Sequence, residues 1–339
     1  MSKILQIKEV VRTGDKSDYG YGMTIFNNRL NTAYNHDGKM EVRSYSGSTK
    51  YERYEEDGKN YVCHGTKAPA LCNYQGKMYL ANRETSDNGY SEPVEFSLYM
   101  NHKNWDRDNF SSKEMNGVKP ETDKGPSMIN FNNQMHMVLK MNNHHLMEHC
   151  WFDGSKWHWY KGNDKHSIPF TSRDRSDFDT WKDDDTDKRY LQTEQSPALA
   201  VVGNKMVCAF KNCGSREGNK PIVTAEFNGR DWSNDVIVKH HDDIIKSELG
   251  VGLAYYKGNL WMVYVDPHSS KLKCLYFSNS QQRWRADDSI DRSECSDATI
   301  SSKSTPTLLP VTVNGQERLA LSFADKDENI QLYYLDVKS

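Results

Sequence analysis

The sequence has no long apolar segment. No run in its 339 residues approaches the roughly 18 apolar residues that a membrane-spanning helix needs, so insertion into a membrane is not expected. The N-terminal stretch MSKILQIKEVVRTGDKSD is too charged, and its apolar patch too short, for a secretory signal. We therefore expect a cytoplasmic protein, or one released without a classical signal peptide.

An excess of positive charge is also lacking. The 44 Lys and Arg residues are balanced by 47 Asp and Glu residues, which gives a formal net charge of −3. Proteins that bind nucleic acid through its phosphates carry a basic field, and this chain has none. Nucleic acid is therefore not an expected partner.

Cysteine pairs with the spacing of a metal site or redox motif are absent. The seven cysteines include no CxxC, and four of them lie in strand-like runs: Cys72, Cys150, Cys208 and Cys274. Small buried thiols are common in strands. We expect structural free thiols rather than a disulfide or metal framework.

Apolar residues are scarce, at 36%, but aromatic residues reach 11%, with 19 Tyr and 8 Trp. Disordered chains are poor in aromatic residues, so disorder is not favoured. Many aromatics in a polar sequence are typical of short strands that bury one face and expose the other to water.

A hairpin pattern recurs along the chain. Residues 196–211, SPALAVVGNKMVCAFK, form two strand-like runs around Gly203 and Asn204, which tolerate the positive φ of a tight turn. The same pattern is present at residues 67–83, 125–140 and 250–265. Such repetition is characteristic of repeat folds.

Each hairpin is followed by a third strand and, in several units, by a polar turn and an aromatic residue that begins a fourth strand. These aromatics are Tyr51, Trp105, Trp157, Trp232 and Trp284. Four antiparallel strands repeated about every 50 to 70 residues predict the blades of a β-propeller. We predict one all-β domain, a six-bladed β-propeller with four-stranded antiparallel blades, in units 19–66, 67–122, 123–192, 193–246, 247–300 and 301–339 plus 3–12.

The two ends of the chain complete one another in this scheme. The last unit stops after its third strand at residues 329–337, and the first strand, residues 4–11, has no hairpin of its own. Pairing of these two segments would close the ring with the N-terminal strand. Closure would remove an exposed sheet edge.

The repeats resemble those of sialidase-like and lectin-type β-propellers of bacteria and fungi. The shared phrase is PALA-x-x-x-G-K-L-Y followed by L-Y-x-x-x-F-D-G-x-x-W, matched here by residues 197–206 with 224–232, 69–79 with 98–105, and 252–261 with 275–284. The turns at 152–157 and 227–232 are similar to degenerate Asp-boxes. In that family this box is a structural turn, so it indicates the fold and not catalysis.

The resemblance does not extend to a sialidase active site. Sialidases hold the sugar carboxylate with three arginines, the first in an R-I-P motif, and use a Tyr/Glu pair as nucleophile. The nearest phrase here is Ser167-Ile168-Pro169, which has no arginine. We do not expect sialidase catalysis.

The candidate ligand-binding residues fall into a basic set and an aromatic set. Arg83, Lys140 and Lys211 end the second strand of three consecutive units and could form one basic arc for an anionic sugar, or each could cap its own blade. Trp105, Trp157, Trp232 and Trp284 could stack on sugar rings, or could pack between blades.

Metal binding is possible at two places. Residues 163–192 are rich in aspartate, and Asp183, Asp185 and Asp187 could hold calcium, although the segment lacks the pattern of an EF-hand. His144 and His145 with Glu148 and His149 have the H-x-x-x-H spacing of a zinc site on a helix, but on a strand alternate side chains point to opposite faces. No metal or other cofactor is otherwise expected.

These patterns predict a lectin-like propeller without catalytic activity that binds glycans or glycoproteins at a cell surface or in the environment. A glycoside hydrolase is an alternative, with a pair of carboxylates in a central pocket among residues such as Glu84, Asp266 and Asp325. A protein-interaction platform is a third possibility. Which sugar would bind does not follow from the sequence.

Overall fold

A computed structural model gives the fold of most of the chain. The residues it describes are 4–46, 50–54, 59–84, 94–101, 104–106, 120–142, 144–160, 168–170, 189–213, 220–233, 235–278, 282–287, 290 and 300–338. All of its regular elements are strands, and no helix in these ranges could cross a membrane. The all-β prediction is confirmed.

The first half of the chain contributes the strands β1 (Ile4–Lys16), β2 (Gly22–Phe26), β3 (Arg29–His36), β4 (Lys39–Ser46), β5 (Lys50–Arg53), β6 (Cys63–His64), β7 (Thr66–Tyr74), β8 (Lys77–Arg83), β9 (Val94–Asn101), β10 (Asn104–Asp106), β11 (Ser127–Phe131), β12 (Gln134–Lys140), β13 (Met147–Phe152) and β14 (Trp157–Trp159). The second half contributes β15 (Pro169–Phe170), β16 (Arg189–Tyr190), β17 (Ala198–Val202), β18 (Lys205–Lys211), β19 (Ile222–Phe227), β20 (Val236–Ile237), β21 (Lys239–His240), β22 (Asp243–Ile244), β23 (Val251–Tyr256), β24 (Asn259–Val265), β25 (Leu272–Ser278), β26 (Arg283–Asp287), β27 (Thr307–Val313), β28 (Gln316–Ala324) and β29 (Asn329–Lys338).

These strands form a β-propeller of antiparallel sheets. Sheet 1 contains β2 to β5 with β6 beside β4, sheet 2 contains β7 to β10, and sheet 3 contains β11 to β14. Sheet 4 contains β17 to β20, sheet 5 contains β23 to β26, and sheet 6 has the order β1-β29-β28-β27. Two further pairs, β15–β16 and β21–β22, are two-stranded.

The prediction of six four-stranded blades is wrong, because only five of the sheets are four-stranded. Sheet 1 has five strands. In sheet 1, β5 pairs only with the second half of β4, residues 43–46. The first half of β4 is left with an open edge, and β6 covers it through the pairs Lys39↔His64 and Met40↔Cys63.

The N-terminal strand pairs with the C-terminal strand. β1 lies antiparallel to β29 from the pair Ile4↔Lys338 to the pair Lys16↔Asn329, with two register shifts. In each sheet, the strand that begins the hairpin is called its first strand; these are β2, β7, β11, β17, β23 and β27. Each contacts the first strand of the next sheet, and β27 contacts both β23 and β2. Residues from the two ends of the chain therefore lie in one sheet, and this sheet adjoins sheet 1.

The hairpin turns follow the residue types that predicted them. Asn27 and Asn28 have φ of 51° and 57°, and Asn132 and Asn133 have φ of 50° and 57°. Asparagine tolerates this left-handed region better than most residues with a side chain. Each turn lies at the same end of its sheet, so the segments that precede the first strands lie at the opposite end.

The core is divided among the boundaries between neighbouring sheets. Each boundary has its own cluster of buried apolar side chains: Met40 with Leu80 for sheets 1 and 2, Met137 with Tyr79 for sheets 2 and 3, Phe210 with Val138 for sheets 3 and 4, Ala209 with Met262 for sheets 4 and 5, Trp261 with Leu321 for sheets 5 and 6, and Tyr334 with Tyr21 for sheets 6 and 1. Side chains on both faces of each sheet are thus buried, which explains the aromatic content.

Candidate functional site

The first strands of the six sheets surround a central channel of about 590 Å³. Its wall is formed by β2, β7, β11, β17, β23 and β27 along their length. At one end, which we call the mouth, the wall is completed by residues that precede these strands or, in the case of Lys67, lie at the start of one: Asp18, Tyr19, Lys67, Lys124, Gln195, Leu249, Lys303 and Ser304. The mouth is therefore built from equivalent positions of different repeats.

The predicted basic set lies just behind the mouth, and each cation is bound locally. The Lys140 ammonium group is 2.7 and 2.8 Å from the two oxygens of Asp123, and Lys140 is only 3% exposed. Asp123 precedes the first strand of sheet 3, and Lys140 ends its second strand. This pair joins two neighbouring strands of one sheet.

Sheets 4 and 2 repeat this arrangement with different partners. Lys211 donates to the backbone oxygen of Glu248 at 2.5 Å and lies 3.5 Å from the Glu194 carboxylate. Arg83 donates to Thr66 Oγ1 at 3.2 Å, and burial lowers the pKa of its guanidinium group. Each of the three side chains binds residues close to the strand ends. The structure does not bring the three together as a basic arc that is free to bind a sugar.

The predicted aromatic set is buried. Trp105, Trp157, Trp232 and Trp284 are 4%, 3%, 4% and 7% exposed. Each lies in the cluster between its own sheet and the preceding one. An indole buried to this degree cannot present a face to a sugar, so the four tryptophans pack the blades.

The turns before two of these tryptophans are closed by side-chain oxygens. Asp153 Oδ1 accepts hydrogen bonds from the backbone nitrogens of Ser155 and Lys156, at 2.8 and 3.0 Å. Asn228 Oδ1 does the same for Arg230 and Asp231, at 2.9 and 2.8 Å. These turns lie at the end of the sheets that is far from the mouth, so they serve the fold.

Two lysines that the sequence did not single out lie at the mouth itself. Lys67 has a φ of +67°, and β7 has an irregular register between Thr66 and Ala70. A left-handed conformation is unfavourable for a residue with a side chain, and bulges of this kind often redirect a side chain. The Lys67 ammonium group lies 5.8 Å from the centre of the Tyr19 ring.

Lys124 occupies the equivalent position in the next sheet. Burial lowers the pKa of its ammonium group, and the nearby charges of Lys67 and Lys140 lower it further, against the opposite effect of Asp123. Neither Lys67 nor Lys124 forms an ion pair with any residue that the structure describes. Lys303, the other lysine at the mouth, is paired with Asp18 and Glu328, so the described mouth cations without an ion pair lie on two adjacent repeats.

A glycine brings these two repeats together. A Cβ atom on Gly125 would overlap the backbone oxygen of Ala68, the residue after Lys67. Only glycine permits this close approach of backbone to backbone. The sequence signal was present in the phrases KAP and KGP, which place a lysine two residues before proline in both repeats.

The predicted catalytic carboxylates are engaged in turns, except for Glu84. Asp266 is 2.7 Å from Lys273 and accepts backbone hydrogen bonds from His268 and Ser269. Burial raises the pKa of Asp266, but these contacts outweigh it and lower the value to about 2. Asp325 accepts a hydrogen bond from Gln331 Nε2 at 2.7 Å and another from the Asn329 backbone.

Glu148 is a buried carboxyl group that the sequence indicated only as part of a metal motif. It is 4% exposed, and burial, with a smaller effect of the nearby Glu121 charge, raises its pKa to about 8. No described residue donates a hydrogen bond to it. This carboxyl group is therefore largely protonated at neutral pH.

The residues of the predicted zinc site are not brought together as a metal site. His149 is fully buried and contacts Trp232, whereas His144 and His145 are exposed. No group of three or more potential ligands that could hold a metal occurs in the described part of the chain. Asp183, Asp185 and Asp187, the predicted calcium ligands, lie outside the described residues.

Comparison with known proteins supports the fold. No protein-family model matches the sequence, and no curated protein matches it either. Among solved structures, the Hadza microbial sialidase Hz136 superimposes with a TM-score of 0.56 at 11% identity, covering 98% of this chain and 65% of that one. A Trypanosoma rangeli sialidase in complex with the inhibitor DANA gives 0.52 at 9% identity, with 98% and 59% covered.

The chain thus spans about 59 to 65% of the length of these two sialidase chains. At such low identity the similarity applies to the fold and not to the residues of a site. Together with the antiparallel sheets around a central channel, it shows that the chain has a β-propeller fold similar to that of these sialidases.

Proposed function

We propose that this protein is a lectin-like β-propeller without catalytic activity that binds acidic glycans at the mouth of its central channel. One observation carries the proposal: Lys67 is held in a left-handed backbone conformation beside Lys124, and neither pairs with a described acidic residue. The glycans would belong to cell surfaces, to glycoproteins or to the environment.

The backbone of Lys67 is the first support. A left-handed conformation costs roughly 1–2 kcal/mol for a residue with a side chain, and such strain is concentrated at functional sites. A glycine at this position would remove the strain. The presence of lysine therefore suggests that its ammonium group is needed at the mouth.

The electrostatics of the pair is the second support. Two ammonium groups that repel one another attract an anion placed between them, and the partly buried position of Lys124 strengthens that attraction. A carboxylate, sulfate or phosphate on a sugar has the required charge. The half-buried Tyr19 ring, next to Lys67, offers a face for the C–H side of the sugar.

The fold is the third support. A solved sialidase with this fold is in complex with the inhibitor DANA, so the fold can present a ligand site. We further propose that the N-terminal strand closes the propeller into a ring, an interpretation favoured by the β1–β29 pairing and by the contacts between first strands. A closed ring would hold Lys67 and Lys124 at a fixed separation.

The proposal that catalysis is absent rests on the engagement of carboxylates near the mouth. Asp123 and Glu194 pair with lysines, and Asp266 and Asp325 close turns. A glycosidase generally needs two carboxyl groups roughly 5 to 9.5 Å apart on either side of the scissile bond. Acids bound in this way are poorly suited to that task.

A glycoside hydrolase remains the second candidate because of one observation. Glu148, with a pKa of about 8, is close enough to Glu121 for their charges to interact. A protonated carboxyl beside an ionised one is the arrangement that general acid catalysis uses. In this alternative, Glu148 would be the proton donor.

A glycan array tests the binding proposal. We expect signals from glycans ending in uronic or sialic acid, weakened by added salt, and little signal from their neutral counterparts. A flat array at high protein concentration would overturn it. The hydrolase alternative requires that the protein cleave at least one member of a panel of aryl glycosides and that Glu148→Gln abolish this activity. It is contradicted if no substrate in the panel is cleaved.

A further inference from the structure

A second cavity, of about 640 Å³, lies at the end of the propeller opposite the mouth. We call it the far cleft. It is lined by the hairpin turns of sheets 1, 5 and 6 and by the third strands of sheets 1 and 6, which contribute Tyr45 and Tyr334. It shares Ile25, Tyr255 and Pro310 with the channel wall but includes neither Lys67 nor Lys124.

Tyr334 provides an unused hydrogen-bonding group in this wall. The residue is 1% exposed, and its hydroxyl has no hydrogen-bond partner among the described residues. Burial raises the pKa of this phenol above its usual value, so the hydroxyl is neutral and able to donate. Buried hydroxyls are nearly always paired, so the absence of a partner points to a group that enters the cleft.

Tyr255 provides an exposed aromatic face at the edge of the same cleft. Its side chain is 37% exposed, one of the few large apolar side chains that the described surface presents. The neighbouring Tyr256 is buried and fixed by hydrogen bonds to the Glu317 backbone oxygen and to Asp336, each at 2.9 Å. The ring of Tyr255 is therefore carried on a rigid strand.

The charges of the cleft favour a neutral ligand over an anion. Arg29 is paired with Glu52 at 2.9 Å, and Lys257 is paired with Asp336 at 2.5 Å. The exposed Glu317 carboxylate forms no ion pair with a described residue. Among the residues that the structure describes, the wall therefore has a carboxylate that can accept hydrogen bonds and no cation without an ion pair. A stacking face, a neutral hydroxyl and a carboxylate acceptor are the groups that hold a sugar ring.

We propose that the far cleft binds a neutral saccharide, of one or two sugar units, independently of the channel mouth. Tyr255 would stack on the C–H face of the ring, Tyr334 would hydrogen-bond a sugar hydroxyl, and Glu317 would accept hydrogen bonds from two others. A cavity of 640 Å³ lies in the size range of small-molecule sites.

Saturation-transfer NMR on the full chain tests this site, with glucose, galactose, mannose, N-acetylglucosamine, lactose and cellobiose as probes and glycerol as the polyol control. We expect transfer to at least one saccharide with no comparable binding of glycerol. Tyr255→Ala should weaken that binding about tenfold or more, and Tyr334→Phe about three- to tenfold.

Two controls distinguish binding at the far cleft from damage to the fold and from binding at the mouth. Tyr334→Phe should not lower the melting temperature, because the hydroxyl that it removes has no partner among the described residues, and Tyr51→Phe, outside the cleft, should leave binding unchanged. The Lys67→Ala/Lys124→Ala variant should also leave it unchanged, whatever it does to acidic glycans.

The proposal is overturned if no saccharide shows transfer, if glycerol binds equally well, or if binding survives both cleft substitutions. It is also overturned if the lysine variant abolishes neutral-saccharide binding, which would place that ligand at the mouth. A flat response to acidic glycans with intact cleft binding would instead contradict only the proposed function at the mouth.

Discussion

The indole nitrogen of Trp232 lies 3.2 Å from Nδ1 of His149 and donates a hydrogen bond to it across the boundary between sheets 4 and 3. Because an indole can only donate, His149 Nδ1 must be the acceptor and its proton must be on Nε2. That Nε2 lies 2.9 Å from His136 Nδ1, which then accepts. One tryptophan thus fixes both imidazoles in their neutral forms.

Acid should weaken this boundary. Burial lowers the pKa of His136 to about 4, and burial with the nearby His136 lowers that of His149 well below its usual value. The unfolded rings titrate near pH 6.5. The stabilisation is therefore complete above pH 6.5 and is lost as the pH falls towards 4, by up to about 1.4 kcal/mol per pH unit for each ring.

Urea unfolding at pH 7, 6 and 5 measures this effect. The matched variant is His136→Leu/His149→Leu, whose free energy of unfolding should change less over the same range, although it starts lower because Trp232 loses its acceptor. If the free energy of unfolding depends on pH equally in the two proteins, the imidazoles are not held neutral.

Glu148 should have the opposite pH dependence. The folded pKa of about 8 lies above the unfolded value of 4.5, so the contribution of this carboxyl to stability is complete below pH 4.5 and is lost as the pH rises towards 8. Glu148→Gln should therefore raise the free energy of unfolding at pH 8 by about 1–3 kcal/mol and change it little at pH 4.5.

Thermal melts at the two pH values measure this difference. Glu226→Gln is the control, since that carboxylate is half exposed and paired only with the exposed Lys205 at 2.5 Å among the described residues. The control should stay within about 0.5 kcal/mol at both pH values. A loss of stability in Glu148→Gln at pH 8 would mean that the charged form has a partner and that the pKa is not raised.

Removal of Asp123 should cost more than removal of its lysine. Asp123→Ala leaves the ammonium group of Lys140, whose side chain is 4% exposed, without an anion, which should lower the free energy of unfolding by about 3 kcal/mol or more. Lys140→Met should cost less, because the Asp123 side chain is 32% exposed and can be hydrated. Denaturant unfolding of both variants decides the order, and the reverse order would contradict the capping role of the pair.

Lys67→Gly should gain stability and lose binding. Glycine adopts a φ of +67° without strain, so the free energy of unfolding should rise by about 1 kcal/mol. Lys67→Ala removes the same ammonium group but keeps the strained backbone, so it should lose binding to the same extent without the gain in stability. Melting temperatures and acidic-glycan affinities of the two variants test this. A fall in stability for Lys67→Gly would show that the backbone at this position is not strained.

The sequence predicted the propeller because its evidence is local and repeated. Turn residues such as Asn132 and Asn133 readily adopt positive φ, and a strand-like run lies on each side of the turn. Burial of both faces of the sheets was not predicted, because it depends on the neighbouring blades. The number of strands in sheet 1 was missed because β6 is only two residues long and pairs with β4 across an intervening segment. Two residues carry no detectable periodicity.

The candidate site was predicted poorly because it depends on contacts between distant residues. A tryptophan at the start of a fourth strand has the same local pattern whether it is exposed or, as with Trp157, 3% exposed. Lys140 was a reasonable candidate until its carboxylate partner, Asp123, was located 17 residues earlier. The position of Lys67 depends on a bulge and on the approach of Gly125 to Ala68, and neither has a sequence pattern of its own.

The central claim is that the ammonium groups of Lys67 and Lys124 bind the acidic group of a glycan. The most direct measurement is calorimetric titration of the best acidic glycan from the array and of its methyl ester, which has the same shape without the charge. The native protein should prefer the acid by about tenfold or more, and the control Lys205→Met, at an exposed site on sheet 4, should do the same. Lys67→Met/Lys124→Met should bind both forms equally; a variant that still prefers the acid by the native margin would contradict the account.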